Sequence, residues 1–114
     1  MKKTLGIIAI LATIALIGIT PITGVAQAAE GKDVFKAKCQ MCHGAAGAGN
    51  ETIAKAFGLK PERLDLTKKS LQARSDTELI ATVKSGKGNM PAWGGVLGDA
   101  DIKTVVQFIR SLAK

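Results

Sequence analysis

Cys39-Gln40-Met41-Cys42-His43 is the stretch on which the reading of this chain turns. A C-x-x-C-H run is the attachment signature of c-type haem. Two thiols form thioethers to the porphyrin, and the imidazole of the next residue is placed to coordinate the iron. These five positions contain both cysteines and the one histidine of the 114 residues. A structural zinc site needs four ligands, and three Cys/His residues within five positions cannot close that cage. A thioredoxin-type dithiol expects a βαβ setting, whereas the flanks here read as a helix before and a glycine-rich loop after. A plain disulfide is the remaining alternative.

Moving toward the N-terminus, Lys2 and Lys3 are followed by an apolar run from Leu5 to Ile19, then Pro21 and Ala26-Gln27-Ala28. This is the basic, apolar and A-x-A order of a secretory signal peptide, and it divides the chain into residues 1–28 and a domain over 29–114. No residue from Thr4 to Ala29 is charged, a length that could also span a bilayer. Uncleaved, the same stretch would tether the domain to a membrane. Either outcome predicts export to the periplasm, or to a thylakoid lumen in a phototroph. Cleavage after Ala28 leaves 86 residues and lowers the formal charge from +7 to +5. So short a chain buries a small share of its surface, and a covalently held macrocycle would complete its core. The basic excess suits steering toward acidic partner surfaces. Scattered lysines on an exported chain argue against nucleic acid.

Beyond the motif, Gly44 to Asn50 is too glycine-rich for regular structure and lacks the Lys-Ser/Thr ending of a phosphate loop. The pattern predicts helices over Glu30–Lys38, over Glu51–Phe57 with Gly58 as its stop, and from Ser75, whose Glu78 completes capping-box spacing. Leu64 and Leu66 are candidate pocket residues. Leu79, Ile80 and Val83 form one side of the Ser75 helix. Gly86 to Gly98 contains five glycines around Met90, Pro91 and Trp93, a loop suited to lie against a flat surface. Asp99 is the expected cap of the last helix, whose Ile102, Val105, Val106, Ile109, Leu112 and Ala113 recur at helical spacing. No segment alternates as a strand, so the domain should be all-α with its terminal helices crossing.

The second axial ligand decides what such a haem can do. Met1 departs with the leader, and Met41 lies inside the attachment motif on the histidine's side. Met90 remains, with a lysine as the other strong-field option. His/Met ligation belongs to electron-transfer cytochromes. Trp93 is expected along the haem edge, its indole N–H seeking a propionate or carbonyl.

With Cys39 to His43, Gly31 and Phe35, Asn89-Met90-Pro91 and the closing Val105-Val106-Gln107-Phe108-Ile109, the chain resembles class I cytochromes c across residues 30–114. The bacterial monohaem types, cytochrome c6-like and c551-like, are the most similar. The resemblance implies three to five helices wrapped around one haem c. It also implies Gly31 and Phe35 of the first helix packing on Val105 and Phe108 of the last, and an exposed haem edge. Many members have a proline soon after the haem motif, next to the carbonyl that receives the histidine's other nitrogen. Here no proline occurs until Pro61, which leaves that acceptor to be found.

The expected function is one-electron transfer between transient redox partners, without catalysis. Two alternatives are an open-coordination haem protein that binds or reduces peroxide, carbon monoxide or nitric oxide, and a haem subunit of a larger oxidoreductase. A peroxidase would want a distal acid–base group, and the chain has no second histidine.

Overall fold

The structure is a computed structural model that describes residues 17–18 and 23–114, with the backbone alone over 23–29. Most of the signal-peptide stretch lies outside the described residues. Among the described residues six α-helices follow in order: α1 (Thr23–Lys38), α2 (Gln40–His43), α3 (Glu51–Ala56), α4 (Lys69–Gln72), α5 (Asp76–Ser85) and α6 (Asp99–Ser111), with a 3-10 turn at Pro61–Arg63. Among the described residues there is no strand, only an isolated bridge between Lys87 and Met90. None of their helices is long and apolar enough to cross a membrane. The all-α expectation is met.

The crossing of α1 and α6 is the frame. Phe35, Ile102, Val105 and Val106 are almost wholly buried there, and the Phe35 and Phe108 rings meet at 5.1 Å between centroids, tilted by 57°. Gly31 makes that approach possible. A Cβ on it would lie 2.1 Å from the Thr104 carbonyl oxygen and 3.1 Å from the Phe108 Cβ. Any side chain would force the helices apart.

A second cluster sets Leu79 and Val83 of α5 on Ile102 and Val106 of α6, with Met90 and Trp93 packed at its edge. The Ser75 capping box is formed in both directions, Glu78 N–H to Ser75 Oγ (3.2 Å) and Ser75 N–H to the Glu78 carboxylate (2.9 Å). Arg110 ties the end of α6 to the start of α5, its Nε donating to the Asp76 carboxylate at 2.8 Å and its Nη1 to the Gln72 carbonyl at 2.9 Å.

Several boundaries differ from the sequence reading. Helix α1 begins at Thr23 rather than Glu30, and α3 ends at Ala56 with Phe57 as its C-cap. Gly98, not Asp99, caps α6, because its extended backbone precedes the first helical residue; the Asp99 carboxylate instead pairs with Lys84 Nζ at 2.7 Å. The apolar stripe of α6 continues to a half-buried Leu112 packed against the Phe35 cluster, and Ala113, expected on the stripe, is exposed. Helix α4 and the Pro61 turn are single turns with no apolar period to announce them.

Candidate functional site

Between the two clusters lies a cavity of about 950 Å3, at the upper end of the usual size for a cofactor pocket. Cys39, Cys42, His43 and Met90 all line it. The first three arrive together because α1 delivers Cys39 at its end and α2 carries the rest of the motif. The Cys39 amide closes on the Phe35 carbonyl at 2.9 Å, and the His43 amide on the Cys39 carbonyl at 3.0 Å. Met90 is supplied by a different part of the chain, the loop after α5, 47 residues downstream of His43.

His43 Nδ1 is 2.8 Å from the Leu64 carbonyl oxygen. A carbonyl can only accept, so Nδ1 carries the proton and the lone pair falls on Nε2, the tautomer a metal ligand requires. This is the acceptor missing from the sequence reading. It lies three residues beyond Pro61, on the turn that proline starts. Burial holds the imidazole pKa below its ordinary value, with the Leu64 bond opposing it, so the ring is neutral at physiological pH.

The backbone that follows the Leu64 carbonyl is pinned in turn. Asp65 folds its carboxylate back onto Thr67, accepting from the amide at 2.8 Å and the hydroxyl at 2.7 Å. The Leu66 amide donates to the Gly47 carbonyl at 2.7 Å. That joins the turn to the loop after the motif, whose Gly49 and Asn50 amides return to the His43 and Cys42 carbonyls at 2.7 and 3.0 Å.

The two cysteines are not joined in a disulfide, which leaves both sulfurs available for thioether attachment. Cys39 is buried, and burial together with the neighbouring Cys42 pushes its pKa up to about 11. The Cys39 thiol is therefore protonated at neutral pH, a poor redox nucleophile and unlike an activated thioredoxin-type dithiol.

The walls are apolar, with Leu64, Leu66, Leu71, Leu79, Val83 and Ile109 among them. Leu64 and Leu66 stand where the sequence placed them. Leu71, on the unforeseen α4, packs against both clusters. Met41 also borders the cavity, with 71% of its surface exposed. Trp93 lines the cavity as expected, and its ring faces Lys38, whose Nζ stands 5.9 Å from the centroid. Lys38, Arg63, Lys68, Arg74 and Lys87 give the margin a positive character. Paired thiols, a tautomerically fixed imidazole, a thioether lining the same cavity, apolar walls and a basic rim form a donor set that fits haem c.

Comparison with known proteins agrees with that chemistry. Residues 26–109 match the family described as "Cytochrome C oxidase, cbb3-type, subunit III". The chain is 38% identical to a cytochrome c6 of Picosynechococcus sp., spanning all of this chain and 97% of that one. It is 34% identical to a cytochrome c6 of Tetradesmus obliquus over 77% of this chain and 93% of that one. It is 32% identical to the cbb3-type cytochrome c oxidase subunit CcoP of Azospirillum brasilense, over 79% of this chain but only 30% of that subunit. The fold matches a solved structure titled "KustC0563 c-type cytochrome" with a TM-score of 0.63 at 22% identity, covering 74% of this chain and 98% of the other. The chain therefore belongs to the cytochrome c family as a class I monohaem member, with covalently bound haem c as its cofactor.

Proposed function

We propose that the protein is an exported one-electron carrier whose haem is attached through Cys39 and Cys42, with the iron ligated by His43 on one face and Met90 on the other. The observation that carries this reading is the convergence of those four side chains on one apolar cavity. Bound haem supplies a one-electron couple whose potential a thioether ligand raises. The polypeptide's part is to keep both axial groups in place in either oxidation state. The Leu64 carbonyl holds the imidazole, and the end of α5 holds the methionine loop. The leucine and valine walls exclude water, and two protein ligands leave no open position for peroxide.

Partners would dock at the cavity margin, where Lys38, Arg63 and Lys87 favour acidic surfaces, through the small interface usual for redox encounters. Residues 1–28 would direct the chain to the periplasm, or to a thylakoid lumen in a phototroph. One observation favours a second reading, a haem module within a larger oxidoreductase: the chain matches 30% of the CcoP subunit's length.

Absorption spectra of the exported protein test ligation and attachment together. The reduced form is expected to show thioether-linked haem, and the oxidised form a thioether-to-iron charge-transfer band. Met90→Ala should abolish that band, lower the potential and let the reduced protein bind carbon monoxide. A colourless mature protein, or an unsubstituted one that takes up carbon monoxide as readily as Met90→Ala, overturns the proposal.

A further inference from the structure

Helix α5 does not simply stop at Ser85. The Gly86 amide still bonds the Thr82 carbonyl at 2.8 Å, and the chain then reverses. Lys87 and Met90 exchange both backbone hydrogen bonds, at 3.1 and 3.0 Å. The Trp93 and Gly94 amides come back to the Val83 and Lys84 carbonyls, at 3.0 and 3.1 Å. Carbonyls in the last turn of a helix have no partner within it. Here two of them are satisfied by the segment that follows Met90, so that segment lies along the helix end.

Gly86 is the point of contact. Its φ is +70°, and a Cβ there would stand 2.5 Å from the Met90 carbonyl oxygen and 2.8 Å from both Pro91 C and Ala92 N. All three are backbone atoms, and none can rotate away. The helix cannot yield instead, because Leu79 and Val83 lock it onto Ile102 and Val106. Any added atom must push the Met90-Pro91-Ala92 backbone outward.

We propose that Gly86 is a positioning residue for the sixth ligand: its missing side chain sets how closely the Met90 backbone seats on α5, and so where the thioether stands relative to the haem iron. This rests on the His/Met reading. It adds that ligation is controlled by a residue that never meets the haem's iron.

The test compares Gly86→Ala with Gly88→Ala in the haem-loaded protein. Gly88 also has a positive φ, +57°, but a Cβ there would meet nothing within 4 Å. Alanine at Gly88 thus carries the backbone strain without the push. Both variants should lose thermal stability. Only Gly86→Ala should lose at least half of the oxidised charge-transfer absorption, show a lowered potential, and bind carbon monoxide at least tenfold more readily when reduced. Equal spectra and potentials for the two variants overturn the inference.

Should Gly86→Ala yield no haem-loaded protein, Gly94→Ala decides. Its Cβ would press the Lys84 carbonyl oxygen at 3.1 Å, a milder push on the same seam. A partial loss of the band supports the inference, and an unchanged band and potential overturn it. Absence of the band from the unsubstituted protein removes the His/Met reading itself, and this inference with it.

Discussion

Asp65 does not line the cavity, yet it directly follows the Leu64 carbonyl that meets His43 Nδ1 and anchors that turn to Thr67. Its carboxyl is held below the usual carboxylate range by the Thr67 hydroxyl and then by the Thr67 amide, against a small effect of burial, with Lys68 and Lys114 adding attraction. A carboxyl whose pKa is lower folded than unfolded stabilises the fold above the unfolded pKa and loses that contribution as pH falls through the folded one. Asp65→Asn should therefore cost less than about 1 kcal/mol at neutral pH, since solvent still reaches and screens this half-buried carboxylate. The difference from the unsubstituted protein should shrink below the ordinary carboxylate range. Denaturant unfolding of both proteins from neutral to acid pH checks this, and a gap that widens on acidification contradicts it. The motif at Cys39 was legible because its chemistry is local and fixed by residue type. The Leu64 acceptor was not, because every residue has a carbonyl and this one lies 21 positions from His43. Only the folded turn singles it out.

Among the elements, the junction of α1 with α6 has the least slack. Alanine at Gly31 would drive a methyl group into the Thr104 carbonyl, and overpacking of this kind costs about 1–3 kcal/mol. Gly31→Ala should lower holoprotein stability by that amount and Gly31→Val by more, with the reduced-minus-oxidised spectrum unchanged because neither His43 nor Met90 lies at that crossing. Urea unfolding followed by far-UV circular dichroism measures the first, and visible spectroscopy the second. A cost below about 0.5 kcal/mol, the range of ordinary surface changes, would mean that the helices part freely. The long elements were readable from periodicity: α6 repeats apolar residues over three turns, and Ser75 with Glu78 announces α5. Asp99 misled by one position, since cap identity follows backbone angles and its carboxylate is drawn to Lys84. The single turns at Pro61 and Lys69 have too few residues for any period to show. Leu71, which joins the two clusters, was invisible for that reason.

For the whole molecule, the cavity separates two unequal halves. Phe35, Cys39, Leu66, Val105 and Ile109 form a cluster centred on the α1–α6 crossing, where Phe35 and Val105 are buried by helix–helix packing and do not line the cavity. Leu79 and Val83 meet only Ile102 and Val106, with Leu71, Ile80, Met90, Trp93 and Leu97 incompletely covered beside them. A cavity of about 950 Å3, if filled by water, would leave the apolar walls of that second half solvated, and burial contributes roughly 25 cal/mol per Å2. The α5 half should therefore depend on the haem far more than the α1–α6 half does. A Cys39→Ala/Cys42→Ala variant, which cannot form the thioethers, is expected to keep part of its helical signal while losing a single cooperative unfolding transition. Amide hydrogen exchange locates the loss: Val105, Val106 and Ile109 should stay protected, while amides from Leu79 to Val83 and the Trp93 and Gly94 amides exchange freely. Arg110 is one polar link that carries order across, through Asp76 and Gln72, and Arg110→Ala in the same background should speed exchange in α5 further. Uniform protection across α5 and α6 in the haem-free variant would show that the polypeptide holds its shape without the macrocycle.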